Sequence, residues 1–305
     1  MSSRSSTRAA TGARRRRGPV GVTAALALLG AALAVAASDP VAFQKVGAMS
    51  GVSIQSFDSA TVVDVGPILR AMPDRGIEGS NTTVYDVLPL RKRHRTLDEG
   101  WGNCSSLVFG MAAELDAEGK EYRIIHLMPL EHFLDGTGHT LLRAKFAMPE
   151  GPRLGLVDVA AAAIPRSAGR PLEPEDLGRG QIPGFRLDPV RPESEDWTPF
   201  YAEDFQTDLM LGRITSADLA RYFRFLEAVY VDAGLPPRVE KVLYDGLALV
   251  LGVYPTIYAD RLAEARERHR LRFAMHETSL WTLRIAPFLL VASAGLWLYD
   301  QRRPA

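Results

Sequence analysis

Two uncharged apolar stretches, one near each end of the chain, restrict where a water-exposed fold can form. The first runs from Gly18 to Ala37 and directly follows the arginine run from Arg14 to Arg17. A basic stretch, an apolar stretch and small residues at Ala34 to Ala36 are the layout of a signal peptide. About 20 apolar residues also suffice to cross a bilayer, so an uncleaved anchor is the alternative. Both alternatives predict export of the chain beyond residue 37.

The second apolar stretch runs from Ile285 to Tyr299 and is followed by Arg302 and Arg303. Together with the residues just before it, it predicts a transmembrane segment over residues 279–300, because roughly 20 residues span a bilayer. A buried core helix is the alternative. Arginines favour the cytoplasmic side of a membrane, so the basic groups at both ends place residues 40–278 outside the cytoplasm.

Charge composition separates the N-terminus from the rest of the chain. The whole chain has 36 basic and 36 acidic residues, but residues 1–19 hold six arginines and no acid. That leaves 30 basic against 36 acidic residues, a composition that gives no support for a nucleic-acid partner. The single cysteine, Cys104, excludes an intramolecular disulfide and a zinc site built from paired cysteines.

Cys104 lies at the start of a segment with helical periodicity. Apolar residues recur at the spacing of one helix face, and they are Leu107, Val108, Met111, Ala112 and Leu115. The pattern predicts a helix from Ser105 to Glu118, which Gly119 ends. Unpaired N–H groups and the helix dipole favour an anion at a helix start. This position therefore favours the thiolate, the nucleophilic form of cysteine.

Three short segments with the composition of β-strands come after this helix. They are predicted over Tyr122–Met128, Thr140–Phe146 and Leu154–Val159. His139 opens the second strand and Asp158 lies near the end of the third. Adjacent antiparallel strands lie about 5 Å apart, which can place His139 beside Asp158. A helix packed on this sheet would point Cys104 at His139, giving a nucleophile, a base and a group that orients the base.

This order of residues and elements resembles the transglutaminase-like superfamily, in its bacterial cysteine-peptidase branch. Gly102-Asn103-Cys104-Ser105-Ser106 is similar to the family's Gly-x-Cys motif, His139 to its histidine motif, and Leu156-Val157-Asp158 to its aspartate motif. The resemblance covers about a fifth of the chain. It implies a papain-like α+β core, a catalytic triad of Cys104, His139 and Asp158, and acyl transfer through a thiol. It also implies that Trp101 lines an oxyanion site beside the Cys104 backbone N–H.

Several other polar residues have a simpler structural interpretation. Glu131, His132 and Asp135 have the chemistry of zinc ligands and lie close to His139 in the sequence. The helical two-histidine zinc motif is absent, and a solvated loop explains these residues more simply, so we expect no metal and no cofactor. His126 falls on the apolar side of a predicted strand and is expected in the core.

The remaining segments complete an α+β architecture with terminal membrane segments. Residues 161–200 are rich in proline, glycine and charge and predict a long surface connection, whereas helical apolar spacing begins at Ser216. The expected fold is a papain/transglutaminase-like core, with a helix packed on an antiparallel sheet, and a helical C-terminal region. The predicted divisions are a signal peptide or anchor (1–37), a catalytic domain (38–200), a helical region (201–278) and a transmembrane segment (279–300).

The expected function is that of a membrane-tethered thiol acyl-transfer enzyme outside the cytoplasm, in the periplasm or at the cell surface. A cysteine peptidase and a transamidase fit the sequence equally, and the location suggests protein or cell-wall peptide amides as substrates. The alternative is a non-catalytic envelope module for binding or assembly, built on the same fold. A protein or peptide substrate and the membrane are the expected partners, and the oligomeric state stays open.

Overall fold

The computed structural model describes residues 22–31, 45–49, 61–71, 104–131, 138–190, 198–231 and 233–302. These residues form a mixed α+β fold. Its helices are α1 (Val22–Ala31), α2 (Val65–Ala71), α3 (Cys104–Ala117), α4 (Glu203–Thr207), α5 (Ser216–Val229), α6 (Pro237–Val250), α7 (Leu262–Arg268) and α8 (Arg270–Arg302). Its strands are β1 (Lys45–Ala48), β2 (Arg123–Pro129), β3 (His139–Phe146), β4 (Arg153–Val157), β5 (Ala163–Ser167), β6 (Arg170–Pro171), β7 (Arg186–Pro189), β8 (Leu209–Thr215) and β9 (Thr256–Ala259).

A six-stranded mixed sheet forms the centre of the fold, in the order β1-β9-β8-β2-β3-β4. β1 pairs with β9 in parallel, and every other neighbouring pair of this sheet is antiparallel. The three strands predicted after the Cys104 helix are confirmed as β2, β3 and β4, with small shifts at their ends. They lie at one side of the sheet in sequence order, as short antiparallel connections favour.

Helices α3 and α5 cover one face of this sheet, which we name the helix face. The predicted apolar face of α3 is confirmed, because Val108, Met111 and Leu115 are completely buried. Burying a side chain of this size stabilises the fold by about 1.5–3 kcal/mol. α3 ends before Gly119, whose φ of +65° is the left-handed conformation that terminates helices.

The opposite face is covered by the described residues of 161–207, which we name the cap layer. β5, β6 and β7 form a three-stranded antiparallel sheet here, in the order β6-β5-β7. Apolar side chains from both layers form one cluster, and its buried members are Ile125, Leu127, Leu141, Leu156, Leu172, Leu177, Ile182, Tyr201, Leu209 and Leu211. The predicted surface connection over residues 161–200 is therefore wrong for the part that the structure describes, 161–190 and 198–200. Its strands are short and interrupted by turns, so they carry no periodicity that reveals their burial.

The C-terminal half contributes to the same central sheet. α5 has the predicted apolar face, with Leu219, Tyr222, Phe223 and Leu226 buried. β8 and β9, however, pair with β2 and β1, so residues 201–278 are not wholly helical, and the division at residue 200 does not mark an edge of the sheet.

The last helix, α8, has the length and apolar composition of a membrane span over Arg270–Tyr299, and within the described residues it is the one helix that does. It begins before the predicted 279–300 segment and continues through Pro287. α1 is a shorter apolar helix inside the predicted N-terminal segment. The arginine run before it lies outside the described residues.

Candidate active site

Cys104 is the first residue of α3, as the sequence predicts. It is 8% exposed. The backbone of Thr140, on β3, lies beside this thiol. The His139 side chain lies beside the same thiol. The predicted oxyanion residue, Trp101, lies outside the described residues.

His139 and Asp158 form a buried pair, with 2.8 Å between Nε2 of the imidazole and Oδ2 of the carboxylate. His139 is the first residue of β3, and Asp158 directly follows β4. Continuing the β3–β4 register places Asp158 opposite Leu141, on the side of the sheet that His139 shares by strand alternation. The structure therefore brings together Cys104, His139 and Asp158.

The carboxylate of Asp158 is held by two further donors. The Tyr201 hydroxyl donates to Oδ2 over 2.8 Å, and the Ala161 backbone N–H donates to Oδ1 over 3.0 Å. Burial, together with the nearby Asp158 charge, raises the pKa of Tyr201 well above its usual value, so this hydroxyl stays a donor. These contacts fix the carboxylate plane, and the carboxylate in turn fixes which imidazole nitrogen faces the sulfur.

The electrostatics of the pair favour separated charges. Burial raises the pKa of the Cys104 thiol, but the hydrogen bond and charge of His139, with the Thr140 N–H, lower it by more, so the net pKa falls below its usual value. Burial also lowers the pKa of His139, but the charge and hydrogen bond of Asp158 outweigh it and raise that pKa to about 10. Both shifts favour a thiolate beside an imidazolium, the reactive form of a cysteine–histidine pair.

Aromatic side chains of the cap layer enclose the imidazole. The Phe200 ring stacks on His139 with 4.6 Å between ring centroids, and Tyr201 meets the imidazole edge-on at 6.5 Å. Phe185 stacks on Tyr201 at 4.6 Å. Sequence reasoning missed all three of these residues. The available signal was the adjacent pair Phe200-Tyr201 beside Pro199, two large aromatic residues in a segment otherwise assigned to the surface.

Gly138 brings the chain onto β2 directly before His139. Its φ is +133°, a conformation that other residues rarely adopt, and a Cβ at this position would collide with the backbone oxygen of Leu127. Leu127 is the register partner of His139 across the β2–β3 pair. The glycine thus permits the close approach that positions His139.

A second set of polar contacts joins α3 to the sheet beside Cys104. The hydroxyls of Ser105 and Thr140 are 2.9 Å apart, and Nδ1 of His126 lies 3.2 Å from the Thr140 hydroxyl. His126 is half-buried rather than enclosed in the core, and it borders the site through Thr140. These contacts tie the first turn of the nucleophile helix to two strands.

Of the candidate zinc ligands Glu131, His132 and Asp135, the structure describes only Glu131. No grouping of three histidine, cysteine, aspartate or glutamate side chains suited to a metal is present among the residues that the structure describes. Glu131 forms an ion pair with Arg268, with 3.1 Å between Oε1 and Nη1. His132 and Asp135 lie outside the described residues.

The candidate site thus joins a cysteine at a helix start to a histidine on one strand and an aspartate after the next. Each of the three is buried, and His139 and Asp158 share a directed hydrogen bond. No family model, curated protein or solved structure matches the chain.

Proposed function

We propose that this protein is a thiol acyl-transfer enzyme, a cysteine peptidase or transamidase with a transglutaminase-like catalytic core. The observation that carries the proposal is the buried hydrogen bond between His139 and Asp158 beside Cys104, with the thiol at the start of α3. A structural cysteine needs neither a charged imidazole beside it nor a carboxylate behind that imidazole. Activation of a nucleophile needs both.

Acylation follows from this geometry. The Cys104 thiolate attacks the carbonyl carbon of an amide, a C–S bond forms, and the π electrons move onto the carbonyl oxygen. The first N–H groups of a helix have no partners within the helix, and in α3 they lie beside the sulfur and favour the developing negative charge. When the tetrahedral intermediate collapses, the C–N bond breaks and the His139 imidazolium gives its proton to the leaving amine.

Deacylation reverses the role of the histidine. Neutral His139 takes a proton from water, the resulting hydroxide attacks the thioester carbonyl, and the C–S bond breaks to restore the thiolate. An amine in place of water takes the same steps and yields a new amide, which is transamidation. In both cases Asp158 keeps Nε2 occupied and holds the other imidazole nitrogen toward the sulfur.

The proposed location is the outer side of a membrane, to which α8 attaches the catalytic body. Its support is the length and apolar composition of α8 and the arginines near both chain ends. Protein or cell-wall peptide amides are the substrates that this location offers. A reporter enzyme that is active only outside the cytoplasm, fused near residue 240, should be active. Good expression of an inactive reporter contradicts the orientation.

A non-catalytic binding or assembly module is the second candidate, and the low exposure of the nucleophile favours it. Cys104 is 8% exposed and His139 is 1% exposed, and Phe200 covers one face of the imidazole. A module that only binds a partner has no need of an open path to the thiol.

Trapping of an acyl-enzyme tests the proposal. The full chain in detergent is mixed with short peptides, quenched in acid and examined by mass spectrometry. We expect a peptide acyl group on Cys104 in the wild type and none in Cys104→Ala. If iodoacetamide modifies Cys104 but no peptide does, the thiol is reachable without being catalytic, and the non-catalytic module becomes the better account.

A further inference from the structure

Helix α6 presents apolar side chains to the outside. Three of its described residues are exposed, and all three are apolar: Val239 (44%), Leu243 (50%) and Leu247 (42%). Leu251, one step of four residues further and just past the helix end, is 58% exposed. A spacing of four places these side chains along one side of a helix. We name this set the apolar stripe of α6.

Both acidic residues of the same helix are buried rather than exposed. Glu240 and Asp245 are 1% and 2% exposed, and the Tyr222 hydroxyl of α5 donates a hydrogen bond to Asp245. A helix on a water-facing surface has the reverse arrangement, with its apolar side inward and its charges outward. The exposed side chains that the structure describes on α6 therefore suit an apolar environment better than water.

The position of α6 beside α8 indicates which environment that is. Leu249 of α6 and Leu283 of α8 are buried against each other, with Val242 and Leu280 packed on them. Leu280 and Leu283 lie where the predicted transmembrane segment begins, so α6 lies at the level at which α8 would enter a bilayer.

The exposed side chains of α8 near this contact are typical of a membrane–water boundary. Trp281 is 59% exposed, and the Arg284 guanidinium lies 5.8 Å from its ring centroid. Tryptophan and arginine of this kind sit at the headgroup level of membrane proteins. Ile285, Phe288 and Val291 continue an exposed apolar surface along α8.

We propose that the apolar stripe of α6 is immersed in the lipid at the membrane surface, so that α6 is a second membrane-contacting element beside α8. The proposed partner is the region of a phospholipid bilayer where the acyl chains meet the headgroups. This inference rests on the proposed membrane attachment through α8. A single helix leaves the body free to rotate about its axis, whereas contacts through both α6 and α8 hold the catalytic body in one orientation over the bilayer.

Lipid-borne quenchers test the proposal on the full chain. A Cys104→Ser background removes the native thiol, and one cysteine is introduced by Leu247→Cys, by Val291→Cys on α8, or by Glu227→Cys on the exposed polar side of α5. Each variant carries an environment-sensitive NBD fluorophore and is reconstituted in vesicles of phosphatidylcholine and phosphatidylglycerol. Part of the lipid carries a nitroxide on its acyl chain, and circular dichroism confirms that each variant is folded.

We expect the nitroxide lipid to reduce NBD fluorescence at positions 247 and 291 by at least about twofold and to leave position 227 nearly unchanged. Quenching at 291 without quenching at 247 overturns the proposal for α6 while α8 stays in the membrane. Quenching at neither position overturns the membrane attachment and this inference with it. The proposal is also overturned if position 247 becomes shielded from the nitroxide lipid only at a high protein-to-lipid ratio. A second copy of the chain then covers the apolar stripe of α6.

Discussion

The two faces of the central sheet are covered by different kinds of structure. On the helix face, α3 and α5 pack a continuous apolar cluster against the sheet. On the opposite face, the irregular cap layer buries His139, Asp158 and the Tyr201 hydroxyl among its apolar side chains. Apolar packing therefore fixes the body of α3, with the Ser105–Thr140 contact at its first turn, whereas directed hydrogen bonds orient His139 and Asp158.

The two faces of the sheet therefore contribute to the candidate site through different interactions. The free energy of burying apolar surface changes little when a side chain rotates slightly, so apolar burial can anchor a helix. Hydrogen bonds depend on direction and suit the task of orienting an imidazole. We expect substitutions on the helix face to change mainly the free energy of unfolding. Substitutions on the cap side should change the reactivity of Cys104 by more than their loss of stability explains.

The largest effect is expected on the helix face. Leu115→Asp buries a charge without a partner and should prevent folding, while Leu115→Ala should lower the free energy of unfolding by about 2–5 kcal/mol. Glu118→Gln, at an exposed position just past the same helix, should change it little. Thermal and denaturant unfolding measure both. A stable Leu115→Asp protein means that α3 presents another face to the sheet.

Removal of the His139 imidazole should destabilise the cap side as well. His139→Ala leaves the Asp158 carboxylate buried without its cationic partner, which should cost about 3–5 kcal/mol. Adding Asp158→Asn should recover part of that loss, because no lone charge then stays buried. If the double variant is less stable than His139→Ala by as much as Asp158→Asn alone destabilises the wild type, the two residues contribute independently and the pair is not coupled.

Gly138→Ala should displace the histidine through the backbone. The added Cβ meets the Leu127 oxygen in a conformation that alanine rarely adopts, and we expect a loss of more than about 1 kcal/mol. Gly151→Ala is the matched control, since its φ is +107° but its Cβ meets open space. Cys104 alkylation should slow in the first variant and stay normal in the second. Equal alkylation in both shows that the approach of Gly138 to β2 does not position His139.

Tyr201→Phe should have the smallest effect of the set. It removes one of the donors to Asp158 but leaves Oδ2 bonded to His139 and keeps the aromatic packing, so the expected loss of stability is about 0.5–1.5 kcal/mol. Cys104 alkylation should slow by less than in His139→Ala, because the imidazole keeps its bond to Oδ2. A loss of alkylation as large as that of His139→Ala indicates instead that Tyr201 acts on the thiol directly.

The same contrast explains which parts of the structure could be predicted from the sequence. Regular periodicity revealed α3 and α5, and the short connections between β2, β3 and β4 made their order predictable, which in turn placed His139 near Asp158. The cap layer has no such period: its buried Leu172, Leu177 and Ile182 stand singly among turns. β8 is buried on both faces, and a short apolar run of that kind does not distinguish a strand from a helix. Tertiary contacts alone bring Tyr201 to Asp158.

The pH dependence of Cys104 alkylation tests the central claim most directly. Burial raises the thiol pKa of the folded protein, but His139 lowers it by more, so the net pKa lies below its usual value. The thiolate is therefore present at pH values above that lowered pKa and is lost as the pH falls through it. Iodoacetamide should therefore alkylate the wild type at about pH 6, well below the unperturbed thiol pKa of about 8.5. In folded His139→Ala, burial raises the thiol pKa without opposition from an imidazolium.

We expect alkylation of His139→Ala at about pH 6 to be more than about tenfold slower, with the two rates converging as the pH rises. His126→Ala is the control, because its imidazole contacts the Thr140 hydroxyl rather than the sulfur, and it should keep the wild-type profile. Near-ultraviolet circular dichroism confirms that each variant is folded at the pH of the measurement. Equal alkylation of folded wild type and His139→Ala across the pH range would contradict the account, because no cysteine–histidine pair would then exist.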